Sequence, residues 1–151
     1  MHKRGFTLVE ILITIGIMLV MVGIIFASFN QFRASQGLEK DTETIVEILQ
    51  QARAQTLSSK NATAYGVHFA STTVTMFTGS SYSVSDPNNQ VFSLISIDTI
   101  FSLSLTGGGT DVVFQRLTGE TSQSGTITLT SQGTTRTRTI TIYKTGLVQY
   151  Q

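Results

Sequence analysis

Residues 6–29 read FTLVEILITIGIMLVMVGIIFASF, a run of 24 residues from Phe6 to Phe29 in which Glu10 is the only charged side chain. As an α-helix rising 1.5 Å per residue, the run would be roughly 36 Å long, enough to cross a bilayer core of about 30 Å. In lipid every backbone N–H and C=O must be bonded within the segment, so a lone span has to be helical. So long an apolar run also exceeds what the single core of a 151-residue chain would take up as a buried helix. The flanks set an orientation. His2, Lys3 and Arg4 precede the run, whereas beyond it Arg33 and Lys40 are offset by Glu39, Asp41 and Glu43. Positive flanks stay in the cytoplasm, which places the C-terminal part of the chain outside it.

A secretory signal peptide also joins a basic start to an apolar run, and it stands as the alternative. Against it, the run is long, it holds a carboxylate, and its end at Ser28-Phe29-Asn30-Gln31 follows only a weak small-x-small cleavage site at Ala27. Glu10 needs a reason of its own. A charged side chain costs about 2.5–3.5 kcal/mol at the centre of a span and less near the interface. Four residues in from Phe6, or about 6 Å along a helix, the carboxylate either reaches back to the headgroups or awaits a cationic partner.

The segment Lys3-Arg4-Gly5-Phe6-Thr7-Leu8-Val9-Glu10 closely resembles the type IV prepilin processing motif: a basic leader ending in Gly, then Phe, with Glu fifth after the cut. The resemblance implies a leader of residues 1–5 and a prepilin peptidase that cuts between Gly5 and Phe6 and methylates Phe6. It also implies that Glu10 is the carboxylate of filament assembly. The chemistry is consistent, because Gly leaves the backbone open to a protease. Cutting would also create a cationic amine at Phe6, near the depth of a neighbour's Glu10. The implied partners are the peptidase, other pilins or pseudopilins, an inner-membrane assembly platform and the lipid bilayer.

Beyond Phe29 the pattern turns amphipathic. Leu38, Ile45, Leu49, Ala52 and Leu57 recur at or near helical spacing, with Glu39, Lys40, Glu43, Glu47, Gln50 and Arg53 on other faces. No proline interrupts this stretch and Gly37 is its one weak point, so a single helix is predicted over 6–58. Its transmembrane part is 6–29 and its amphipathic continuation 30–58. Residues 59–151 read as a β-rich head. Strands are predicted at Tyr65–Phe69 and around Val74–Met76, joined through Ala70–Thr73, then at Val91–Ile97 and Ile100–Leu105. Val112–Gln115, Thr126–Thr130 and Thr137–Tyr143 follow, with a turn at Gly133. The fold class is α+β, a long N-terminal helix packed against one mostly antiparallel sheet.

The C-terminal third carries a second resemblance. Val112–Gly119, Gly125–Leu129, Arg138–Ile142 and Lys144–Val148, taken in that order with Gln51–Thr56 near the helix end, are similar to the head of the pseudopilin H and FimT-like family. That likeness implies a structural subunit of a secretion pseudopilus or a pilus.

The remaining chemistry is sparse. The chain has no cysteine, and of its two histidines His2 lies in the leader and His68 in a predicted strand, which argues against a transition-metal site or other cofactor. Asp86, Asp98, Asp111 and Glu120 lack calcium-loop spacing, and Gly107-Gly108-Gly109 lacks the Lys-Ser/Thr of a phosphate loop. Asn61-Ala62-Thr63 matches a glycosylation sequon and carries little weight. Arg136, Arg138 and Lys144 share strand parity and could form a weak DNA contact. However, some FimT-like minor pilins bind DNA through a C-terminal Gly-Arg-x-Arg element, and here that place reads Gly146-Leu147-Val148-Gln149. From Thr63 onward four basic residues face four acidic ones, so nucleic acid is not an expected partner. Three readings follow: a minor pseudopilin of a type II secretion system in a periplasmic pseudopilus, a FimT-like minor pilin of a type IV pilus, and a membrane-anchored enzyme. The last lacks any convergent set of acid, base, nucleophile or ligands.

Overall fold

The computed structural model describes residues 6–59, 62–95, 98–132 and 135–151. The leader 1–5, Asn61 of the sequon and the turn at Gly133 therefore lie outside the described residues. The chain forms two compact units, one ending at Arg33 and the other running Ala34–Gln151. Helix α1 (Leu8–Leu57) contributes to both. Its observed bounds fall within two residues of those predicted.

In the first unit every side chain from Phe6 to Phe26 is exposed, as expected for a helix whose apolar surface has no protein to cover it. Among the described residues α1 is the one helix long and apolar enough to cross a membrane.

In the second unit the amphipathic stripe is buried as its spacing predicts as far as Ala52, whereas Leu57, expected on the same face, is exposed at the end of the helix. Ala34, Leu38, Ile45, Leu49 and Ala52 are buried, at intervals of three, four or seven residues that keep one helix face inward. Two threonines share that face. Thr42 Oγ1 donates to the Leu38 carbonyl at 2.7 Å and Thr56 Oγ1 to the Ala52 carbonyl at 2.9 Å, so each hydroxyl enters the core with its bond made. Thr56 Oγ1 also accepts the Tyr65 N–H at 2.9 Å, tying the end of α1 to the first strand.

Among the described residues eight strands follow: β1 (Tyr65–Phe69), β2 (Thr73–Thr78), β3 (Gln90–Ser93), β4 (Asp98–Leu105), β5 (Asp111–Val113), β6 (Gly125–Ser131), β7 (Thr137–Ile142) and β8 (Val148–Tyr150). They form two four-stranded antiparallel sheets, in the orders β3-β2-β1-β5 and β4-β6-β7-β8. One sheet was expected, and the reason for two is legible in the ladders. The four residues of β3 offer β4 little to pair with, whereas β6 meets it from Asp98↔Ser131 to Leu105↔Gly125. The longer ladder satisfies more backbone groups, so β4 leaves the first sheet.

Strand alternation sends Val67, Phe69, Val74 and Met76 of the first sheet, and Ile127, Leu129, Ile140 and Ile142 of the second, onto α1. Each large apolar side chain so buried contributes about 1.5–3 kcal/mol before ordering entropy is subtracted. The predicted strands at Val91–Ile97 and Val112–Gln115 are shorter in the structure, and Ile97 lies outside the described residues. The alternation of Val148-Gln149-Tyr150 is too short to mark β8 in the sequence, and its pairing with β7 makes it a strand.

Candidate functional site

The N-terminal motif folds as a helix start. Thr7 precedes α1, and its Oγ1 accepts the Glu10 N–H at 3.3 Å while its carbonyl accepts the Ile11 N–H at 3.3 Å. Thr7 is thus the N-cap and Glu10 the third helical residue, the Thr-x-x-Glu pattern of a capping box. The helix dipole also favours a carboxylate in this first turn. The pattern is legible in Thr7-Leu8-Val9-Glu10, and the bond formed is the one from the Glu10 backbone N–H to Thr7. Among the described residues no cation pairs with the Glu10 carboxylate, and Phe6 is 79% exposed. Gly5 lies outside the described residues.

In the head, residues from separate motifs converge on Arg53. From α1, Arg53 Nε donates to the Gly119 carbonyl at 3.1 Å and Nη2 to the Thr145 carbonyl at 3.2 Å. Gly146 has φ of 76°, and a Cβ there would collide with the Gly119 carbonyl oxygen and the Arg53 side chain. Arg53 therefore clamps two loops, the turn after β5 and the turn between β7 and β8, to the end of the helix. Sequence reading placed these pieces in order along the chain but did not foresee that they meet.

The basic residues are dispersed. On β7 Arg138 shares parity with Ile140 and Ile142, so its face is the one that meets α1. There it forms an ion pair with Glu39, with Nε donating to Glu39 Oε2 at 2.7 Å. Arg136 is exposed just before β7, and Lys144 is exposed in the turn after it. With Arg138 engaged by a carboxylate, few phosphates can be contacted at once. The full chain in detergent is expected to bind duplex DNA more weakly than micromolar at physiological salt, measured by fluorescence anisotropy. Tighter binding that is lost when Arg136 and Arg138 become Ala would instead favour the uptake reading.

Half-buried His68 on β1 has its Nδ1 2.6 Å from Asp111 Oδ1, and its ring stacks on Tyr82 with centroids 3.9 Å apart. Tyr82 in turn tilts against Phe77, so the pair and the stack hold the segment after β2 onto the outer face of the first sheet. Among the described residues no group of three or more His, Cys, Asp or Glu is placed to hold a metal ion.

Residues 41–146, a span that includes the whole Arg53 clamp, match the family of the type II transport protein GspH. The chain belongs to the GspH family. Residues 1–26 match the prokaryotic N-terminal methylation motif, so a GspH head follows a prepilin-type N-terminus in one chain. No curated protein and no solved structure matches the chain. GspH proteins are structural pseudopilins rather than enzymes. Prepilins of this kind are processed by a prepilin peptidase and assemble with other pilins, and the apolar first part of α1 fits anchoring in the inner membrane.

Proposed function

We propose that this GspH-family chain is a minor pseudopilin of a type II secretion system, assembled into a periplasmic pseudopilus that drives protein export. The single observation carrying this reading is the coincidence of the methylation motif at residues 1–26 with the GspH domain at 41–146. In this reading the N-terminus is cytoplasmic, residues 6–29 span the membrane and the head lies in the periplasm. The peptidase cuts between Gly5 and Phe6, Phe6 is methylated, and the Phe6 amine of one subunit pairs with Glu10 of the next. The chain is not itself an enzyme, and its partners are other pseudopilins and the assembly platform in the inner membrane.

Mass spectrometry of the membrane-extracted protein tests the processing step and is expected to find an N-methylated Phe6 terminus. A terminus near Ala27–Phe29 would indicate a conventional signal peptide and would sink the proposal. Site-specific crosslinking from Phe6 and from the head then tests assembly, with other pilin-like subunits as the expected products.

A further inference from the structure

Two carboxyl groups are buried where α1 and the two sheets meet. Asp41, on α1, is 5% exposed, and Asp98, the first residue of β4, is 0% exposed. Asp41 Oδ2 accepts the Ile95 N–H at 2.7 Å, on the crossover that carries the chain from β3 in one sheet to β4 in the other. Asp98 donates its own N–H to the Ile95 carbonyl at 2.8 Å, but among the described residues neither of its side-chain oxygens has a hydrogen-bond donor. Its Oδ2 borders Gly37, one turn before Asp41 on the helix.

A fully buried, unpaired carboxylate beside a second one is strongly unfavourable unless its charge is neutralised. Ile95 ties the two residues together, its N–H bonded to Asp41 and its carbonyl to the Asp98 N–H, so the two carboxyl groups are neighbours beside one turn of α1. As two carboxylates they have nothing to share, since both are acceptors; with one proton between them, an O–H donor and an acceptor face each other. We propose that Asp41 and Asp98 hold a single shared proton, and that this proton fastens the β3–β4 crossover to helix α1 as a lock that acid strengthens.

The electrostatics agree. Burial pushes the Asp41 carboxyl up from 3.8 to about 6; the Ile95 N–H opposes the shift, and the charge and hydrogen bond of Asp98 add to it. Of the other charged groups around the pair, Lys40 on α1 weakly favours the ionised form, and Glu39 is held by Arg138 of β7. From β6 the register partner of Asp98 is the buried, uncharged Ser131. A carboxyl with a raised folded-state pKa binds more protons when folded than when unfolded. Its contribution to stability is therefore full below the unfolded value and falls as pH rises to the folded one, from 3.8 to about 6.

Asp98→Asn tests this, because the amide keeps a donor toward Asp41 and removes the proton to be lost. Urea midpoints of the full chain in detergent micelles, followed by circular dichroism in EDTA, are compared at about pH 4.5 and about pH 7.5. Between these, the folded-to-unfolded ratio of the parent is expected to fall relative to Asp98→Asn by up to roughly 25-fold, and the variant is the more stable at neutral pH. Asp41→Asn, whose side-chain oxygen still accepts the Ile95 N–H, is expected to behave alike. An unchanged pH dependence in both variants, or failure of both to fold, would overturn the shared proton. So would stabilisation of the parent by calcium at neutral pH that Asp98→Asn abolishes, since a metal ion would then be balancing the charges.

Discussion

Glu10→Gln is expected to be inserted and processed like the parent chain, yet to reach sheared filaments at about a tenth of the parent's level or less. The monomer has little reason to notice the change. Gln keeps the size, serves as well as Glu in a capping box with Thr7, and removes a charge from the apolar span. The lost dipole attraction is worth only about 0.3–1 kcal/mol. What disappears, under the proposed function, is the attraction to a neighbouring subunit's Phe6 amine. Two unit charges about 4 Å apart gain roughly 4 kcal/mol at an effective dielectric near 20, before desolvation is subtracted. A net 1.4 kcal/mol is already tenfold in incorporation. The pairing also sets axial register, which apolar helix contacts alone leave free to slide. The measurement is the ratio of variant in sheared filaments to variant in the membrane pool. Equal incorporation would leave Glu10 as a helix-capping residue at the interface and nothing more.

The second large effect is in the head. Gly146→Ala is expected to destabilise it by about 3–5 kcal/mol, enough to deplete the folded protein in cells. Two causes add. The φ of 76° costs any residue with a Cβ about 1–2 kcal/mol. The new methyl also occupies the space of the Gly119 carbonyl oxygen, so the two loops separate and Arg53 loses its part-buried hydrogen bond to Gly119, the exposed one to Thr145 counting for little. Hydrogen bonds from a charged group are worth about 1.5–3 kcal/mol each. Gly108→Ala is the control, since its φ of 72° is similar but nothing lies within 4 Å of the added methyl. It should cost the backbone contribution alone. Urea midpoints of both variants in detergent check this, and equal losses would show that the clamp contributes nothing.

Much of the molecule was legible from local pattern. The apolar run, the amphipathic stripe from Leu38 to Ala52 and the alternation in β1, β6 and β7 report on a chain's own periodicity, which survives in one dimension. The failures came where a short segment's state depends on its neighbours. β8 is a strand only because β7 lies beside it, and β3 stops early because β4 pairs more fully elsewhere.

The sequence by itself determined the long helix, its division into apolar and amphipathic parts, the α+β class and the prepilin-type motif. Each is written in residues a few positions apart, within reach of one another along a helix turn or a strand. Only the tertiary structure decided that there are two sheets, that Arg138 lies against Glu39, that Arg53 joins Gly119 to Thr145, and that Asp98 is buried against Asp41. These contacts link positions 57 to 99 residues apart, where no periodicity carries information. A charge that reads as solvent-facing in sequence then takes its meaning from whichever partner packing brings to it.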